Sequence, residues 1–467
     1  MAIMPVSIFN LAVNQIEKSE SAEAEFLKKL FGELEQSGVR YAVMRNYEQL
    51  PFSLAGSDLD ILIDPKQEKL AKACIIKAIE TAGGVPIGCV NTVGLFKVFA
   101  FGKACKPNDE WWGLRMDITF GMICAGGLNI IGDSIWSDNL EEHNGVSVLS
   151  RDLAAVIGVI KELLYNNRLP KKYLDRSSEV VSNPDRWSSI LSALSPMGEE
   201  ALGLIGKLCI EKPSSRVVVR DSSLIRRSLE YKALWNSPFS YLIKKVMYYG
   251  SRVSRIVKPP GKMVAVLGTD GSGKSTAINA ISPVLMHATH GALTIQHLRP
   301  RLFPSLGSLK QSGVVEDDVV TDPHGAKPSG YFLSMVRLIY YLIDYIIGYW
   351  VRVRPQISKN PTIFLFDRYA YDLLIDPKRL RINLPGWVLR VFTLLVPRPD
   401  LIICLHGDPV VLAARKKELP LSEVRRQVEA LIAFSKKEKK AVSVSTELPI
   451  SDTRNLILEA IKSTCKA

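Results

Sequence analysis

The nine residues Gly268-Thr269-Asp270-Gly271-Ser272-Gly273-Lys274-Ser275-Thr276 constrain this chain more than any other stretch of it. Before them runs Met263-Val264-Ala265-Val266-Leu267, a short unbroken apolar run that reads as a buried strand. After them, Thr276 to Leu285 reads as a helix kinked at Pro283. A tight glycine-rich turn from strand to helix lets successive backbone N–H groups curl inward, and the helix N-terminus adds partial positive charge. Such a turn is built to cradle phosphate oxygens. Lys274 then reaches the outer phosphates and Ser275 holds Mg²⁺. The spacing predicts a bound nucleoside triphosphate, ATP being the expected one, with Gly268, Asp270, Gly271, Ser272, Gly273, Lys274, Ser275 and Thr276 around it.

The 467 residues are 47% hydrophobic and 23% charged, a globular composition with material for two or three domains. Cysteines at 74, 89, 105, 124, 209, 404 and 465 form no CxxC pair and no metal-ligand spacing with a histidine. They suit reduced thiols in the cytosol and argue against a disulfide framework. Met1 to Asn14 has no basic flank and no small-residue cleavage site, so no signal peptide is expected.

The net charge of +13 is concentrated. Between Lys212 and Lys262 stand twelve lysines and arginines against Asp221 and Glu230 alone, interleaved with Trp235, Phe239, Tyr241, Tyr248 and Tyr249. Asn236 to Val257 fits a basic amphipathic helix with Pro238 in its first turn. Two readings stay open: a helix suited to an anionic membrane face or nucleic acid, or a solvated connector whose aromatics pack on its neighbours. Lys258-Pro259-Pro260-Gly261 marks the strongest boundary. The expected organisation is an N-terminal unit over residues 22–210, a basic connector over 211–260 and a phosphate-loop unit over 261–467. Tyr331 to Trp350 has the length of a membrane span but carries Arg337 and Asp344. A long helix packed on a sheet is expected there, a lipid-touching surface being the alternative.

Strands and helices alternate in the last unit: Ala292 to His297, the apolar helix, Thr362 to Phe366, Leu401 to Leu405 and Ala441 to Val444. The order predicts an α/β fold, a parallel sheet with helices on both faces and ligands at its C-terminal strand ends. Those ends carry Arg299, Asp367-Arg368 and Asp408. The loop form, Phe366-Asp367-Arg368-Tyr369, and Pro399-Asp400-Leu401-Ile402 leading to Gly407-Asp408-Pro409 and Arg415 together resemble the thymidylate kinase family over about the last 200 residues. The resemblance implies phosphoryl transfer from ATP to a small-molecule acceptor. It implies Asp367 acting on Mg²⁺ through water, Arg368 and Arg299 clamping the acceptor, and Asp270 approaching the acceptor's sugar. Lys274, Asp367, Arg368 and Arg415 would carry the catalysis, with Arg415, Lys416, Lys417, Arg425 and Arg426 where a mobile lid would lie.

The N-terminal unit carries its own signal. Val39 to Met44 reads as one strand and Ser57 to Ile63 as another. Asp58 and Asp60, two apart, project to one face as a carboxylate pair that holds metal ions, and Asp117 would join from a neighbouring strand. This resembles the nucleotidyltransferase superfamily related to DNA polymerase beta, in an α+β domain. The resemblance implies metal and triphosphate on Asp58 and Asp60, acceptor activation by Asp117, and Lys161 in the helix after that core. Where that family carries Gly-Ser this chain has Arg45-Asn46, so that Arg45 grips phosphate or the site only binds.

The leading expectation is a kinase. Its alternatives are a nucleotidyltransferase using Asp58, Asp60 and Asp117, and a nucleotide-gated binding module on a membrane or nucleic acid. The expected setting is cytoplasmic, with peripheral contact at an inner membrane face through the connector and with a homodimer left open. Nucleic acid is not the expected partner.

Overall fold

Period-two alternation in the N-terminal strands decides how the two halves of the chain meet. The computed structural model describes residues 21–104, 110–121, 123–124, 128–304, 329–416 and 418–466. In its N-terminal half the strands are β1 (Tyr41–Val43), β2 (Leu59–Ile63), β3 (Gly84–Thr92), β4 (Leu95–Lys103), β5 (Trp111–Phe120), the hairpin β6 (Ile123–Cys124) and β7 (Leu128–Asn129), β8 (Leu140–His143) and β9 (Val146–Leu149). Seven of them form a mixed sheet in the order β3-β4-β5-β2-β1-β9-β8. Phe96, Val98 and Ala100 of β4 point to one face, where they join Phe26, Leu30, Ile75 and Ile79 of helices Ala22–Gln36 and Glu68–Thr81. Phe99 and Phe101 point to the other face and share a core with the second half of the chain.

That second half holds β10 (Lys262–Gly268), β11 (Thr294–His297), β12 (Ile363–Asp367), β13 (Leu401–His406) and β14 (Ala441–Ser445) in the order β11-β12-β10-β13-β14, every neighbouring pair parallel. Helices cover both faces, as the alternating sequence predicts. Lys274–Ala288 and Ile450–Lys466 pack between this sheet and β3 to β5. Tyr331–Gly348, Gly386–Leu395 and Leu421–Lys437 cover the opposite face. Contact between the halves is close: a side chain at Gly113 would meet Ala288 at 2.8 Å, and one at Gly88 would strike the Pro260 carbonyl oxygen.

The basic connector forms two helices. Ser215–Asn236 buries Val218, Ile225 and Leu229 in the core formed with helices Arg151–Asn166 and Glu199–Glu211. Pro238–Val257 buries none of its residues. Among the described residues one helix, Tyr331–Lys359, is long and apolar enough to cross a membrane by length and composition; it continues Tyr331–Gly348 through a π-helical turn at Tyr349–Val353. The second half is thus an α/β unit with a parallel sheet, as expected.

Candidate active site

The phosphate loop keeps its shape because two of its glycines have no room for anything else. A Cβ on Gly268 would lie 2.5 Å from Ser272 Oγ and 2.9 Å from the Leu405 carbonyl oxygen. Gly271 has φ +77° and faces the Leu412 carbonyl oxygen at 2.9 Å. The loop ends at Gly273, also left-handed, and Lys274–Ala288 begins there with its first N–H groups turned into the loop. Lys274 is buried and donates to the carbonyl oxygens of Gly268 at 2.9 Å and Thr269 at 2.8 Å. Burial, reinforced by the nearby Arg368 guanidinium, pushes its ammonium down to about 7. The buried hydroxyls of Thr269 and Ser272 have no partner among the described residues.

Strand register brings the remaining chemistry to the same edge. Val266 pairs with Asp367 and His297 also pairs with Asp367, so the ends of β10, β12 and β11 lie side by side at the crevice where the strand order turns. His297 Nδ1 lies 3.3 Å from Asp367 Oδ2, while Asp367 Oδ1 is buried without a partner among the described residues. Burial alone would raise the Asp367 carboxyl; the hydrogen bond and charge of His297, with Lys274 and Arg368, outweigh it and hold it below the usual carboxylate range. Arg368 has φ +70°, an uncommon conformation for a residue with a side chain. It carries the buried guanidinium to Asp270 at 2.6 Å, Asp372 at 2.7 Å and the Gly268 carbonyl at 3.3 Å. Arg379 pairs with the second oxygen of Asp270. Burial opposes the Asp270 charge, but Arg368, Arg379 and Lys274 hold its carboxyl at about 2.

Above the loop opens a cavity of about 710 Å³. Its walls bring together Asp270, Gly271, Gly273, Lys274, Ser275, Thr276, Asp367, Arg368 and Arg415, with Gly268 and Ser272 in the loop beneath. Of the other lid candidates Lys416 joins the lining. Arg425 and Arg426 do not, Arg426 pairing with Glu423, and Lys417 lies outside the described residues. Arg299 is placed elsewhere: it is buried and committed to Asp344 at 2.9 Å, its guanidinium facing the Tyr341 ring, and it is not among the cavity's lining residues. Two titratable lining residues escaped sequence reasoning, His297 and Arg379. Only the turn at Pro377–Leu380 shows where Arg379 ends up. Ser275, at the open start of a helix, and the unpartnered Asp367 oxygen are a hard-oxygen donor set that fits Mg²⁺.

In the N-terminal half, Asp60 and Asp117 stand opposite each other across parallel β2 and β5, and Asp58 precedes β2 by one residue. One carboxylate oxygen from each of the three lies within 4.8 Å of the others. Arg45 spans two of them, paired with Asp60 and 3.2 Å from Asp58. Lys161 lies 3.4 Å from Asp60, and Asp117 takes Arg115 at 2.7 Å and Lys97 at 2.9 Å. Burial would raise the Asp117 carboxyl; Arg115 and Lys97 overcome it and hold it at about 2. The oxygens are close enough to share a divalent ion, but their charge is already offset by four cations, so an ion entering here competes with Arg45 for Asp58 and Asp60. Beside Arg45 lies a second cavity of about 490 Å³, edged by Arg151, Lys161, Lys172 and Arg176.

No protein-family model matches the chain. Solved structures of thymidylate kinase from Ehrlichia chaffeensis and Candida albicans align with a TM-score of 0.31 each, at 12% and 16% identity, covering 43% and 44% of this chain and 100% and 92% of those chains. The thymidylate kinase of Nitratidesulfovibrio vulgaris (strain DSM 19637 / Miyazaki F) is 32% identical over 123 residues. The chain is thus similar to a thymidylate kinase over 24% of its own length, and spans about half the length of that relative, 50%.

Proposed function

We propose that the chain is an ATP-dependent phosphotransferase of the thymidylate kinase type, moving the γ-phosphoryl group to a nucleoside monophosphate or a related small-molecule acceptor. The observation that carries this is one cavity whose floor is the phosphate loop and whose walls hold Lys274, Asp367, Arg368, Arg379 and Arg415. Phosphoryl transfer spreads negative charge over equatorial oxygens, and a protein lowers its barrier chiefly by positioning and neutralisation. Here the loop N–H groups and Lys274 take the donor phosphates, and Arg415 and Lys416 flank them. Arg368 and Arg379, aimed by Asp270, supply positive charge on the acceptor side. Ser275 and Asp367 would hold Mg²⁺, which would supply further neutralisation of phosphate charge. Labelled ATP with Mg²⁺ and a panel of nucleoside monophosphates, sugars and lipid extracts tests the reading. Transfer of label to a small molecule is expected, and label released only as free phosphate across the panel counts against it.

Lys274 supplies a pH signature. With its ammonium at about 7 instead of the ordinary value near 10.4, the unliganded protein holds it mostly neutral at pH 8. Anionic phosphates restore the charge, so Mg·ATP binding at pH 8 takes up nearly one proton, and at pH 6, where the group is already charged, almost none. The sign for stability follows. The unfolded chain binds more protons between pH 7 and about 10.4, so this group makes the unliganded fold more stable as pH rises through that window. Calorimetry in buffers of different ionisation enthalpy measures the uptake. Binding heats at pH 8 that do not depend on the buffer would contradict a neutral Lys274.

For the N-terminal half, the Arg45 guanidinium across Asp58 and Asp60 favours a second reading: a site that holds a phosphorylated ligand without turning it over. Arg45→Ala then weakens binding of a nucleoside triphosphate to a Lys274→Ala protein by tenfold or more, about 1.4 kcal/mol. Pyrophosphate release that disappears in an Asp58→Ala, Asp60→Ala double variant would instead establish an active metal-dependent nucleotidyltransferase.

A further inference from the structure

Two helices in this protein turn a row of apolar side chains to solvent, and one of them is mounted inside out. In Pro238–Val257 the polar side faces the body: Lys245 pairs with Glu230 at 2.8 Å, Ser251 meets Thr92 at 3.2 Å, and Arg255 reaches the Lys359 carbonyl at 3.2 Å. Its apolar stripe, at helical spacing, faces outward, with Phe239 81% exposed, Val246 72% and Val257 68%. Tyr331–Gly348 is apolar on both sides: Leu338 and Tyr345 are buried in the core beside Ser334, Asp344 and Gly348, whereas Phe332 is 81% exposed and Val336, Ile339, Ile343 and Ile347 are also exposed. An amphipathic helix on a protein that meets only water buries its apolar stripe, because that burial supplies most of its stability.

The two faces belong to one surface. Arg354, in the continuation of the second helix, donates to the Ile256 carbonyl at 2.8 Å, and its guanidinium lies 5.5 Å from the exposed Trp350 ring. Gly386–Leu395 packs beside Tyr331–Gly348 and adds Trp387 and Leu394, 67% and 63% exposed. Single exposed hydrophobes need no explanation; this many on helices in contact with one another mark a surface that something covers.

We infer that this face docks on an anionic phospholipid bilayer, lying in its interface without spanning it. Charge selects the occupant. The segment from Lys212 to Lys262 carries twelve cations against two acids, and Arg252, Lys258, Arg352 and Lys359 stand exposed among the apolar side chains. A second copy of the chain would set this excess against itself, whereas anionic headgroups neutralise it. Exposed Trp350 and Trp387 are suited to the headgroup boundary. Spanning is disfavoured by the buried Arg299–Asp344 pair, which ties Tyr331–Gly348 to the protein body and would be broken if the helix left it.

The inference does not depend on the transfer reaction, and its test reads vesicle binding alone. The full chain is floated with vesicles of phosphatidylcholine containing about one-third phosphatidylglycerol, and with phosphatidylcholine alone, at low and high salt. Recovery with anionic vesicles at low salt is expected, falling about tenfold on neutral vesicles and in high salt. The triple variant Phe239→Ser, Val246→Ser, Phe332→Ser, all at exposed positions, loses about tenfold in partition while keeping the wild-type melting temperature and nucleotide binding. Equal recovery with and without anionic vesicles, or wild-type partition by the variant, overturns the proposal. So does a dimer seen by light scattering that the same substitutions dissolve while vesicles recruit nothing; the face would then be a self-association surface.

Discussion

Lys274→Ala lowers phosphoryl transfer by roughly 10²- to 10³-fold and leaves the chain folded. The side chain lies beneath the cavity and donates to two backbone carbonyls of its own loop, those of Gly268 and Thr269. Alanine is well suited to the first turn of Lys274–Ala288. The fold gains from the change in one respect. Burial holds the Lys274 ammonium down at about 7, so folding must strip this amine of much of its charge, and its removal relieves that cost. The expected pattern is therefore a melting temperature equal to or above that of the parent protein, together with near-complete loss of label transfer and of triphosphate-induced stabilisation. Steady-state kinetics with ATP, set beside thermal unfolding with and without Mg·ATP, check both halves. Turnover within tenfold of the parent would mean that the phosphate loop is not where the donor sits.

What the sequence made legible is what is local. The loop, the strand before it and the helix after it occupy consecutive residues, and glycine, lysine and apolar runs declare them without reference to anything distant. Asp367 and Arg368 were legible because they end an apolar strand, and parallel strands deliver their C-terminal ends to one crevice. Arg299 obeyed the same rule and ended elsewhere, because its partner Asp344 is 45 residues away on the apolar helix, where the sequence shows only an acid out of place. That helix and Pro238–Val257 expose a general limit. Periodicity reveals that a stripe exists and says nothing of which way it faces, so the outward mounting of Phe239 and Phe332 became visible only in three dimensions. Ser215–Asn236 hid for a related reason: its buried Val218, Ile225 and Leu229 are sparse among basic residues, and the charge dominates the reading. The N-terminal acids Asp58, Asp60 and Asp117 do lie together. The four cations that converge on them were legible only in part, because Lys97 and Arg115 come from other positions in the strands.

Arg368→Ala is expected to destabilise the fold by about 3–5 kcal/mol as well as to abolish transfer, and the two effects separate experimentally. Its guanidinium is buried between Asp270 and Asp372. Asp270 keeps Arg379 when Arg368 is removed, but Asp372 has no other hydrogen-bonding side chain among the described residues and is left as a buried, uncompensated carboxylate. Most of the loss should come from Asp372. The double variant Arg368→Ala, Asp372→Ala therefore regains a large part of the stability in urea unfolding, since both members of the pair are then gone. It regains none of the transfer rate if the charge of Arg368 is needed by the reacting phosphate. The left-handed backbone at Arg368, φ +70°, supports this division: a strained conformation persists where surrounding contacts hold it, and here they aim one guanidinium at the cavity. Wild-type stability in Arg368→Ala would refute the buried pairing. Recovery of transfer in the double variant would make Arg368 a structural counter-ion to Asp372 and pass the acceptor-side charge to Arg379.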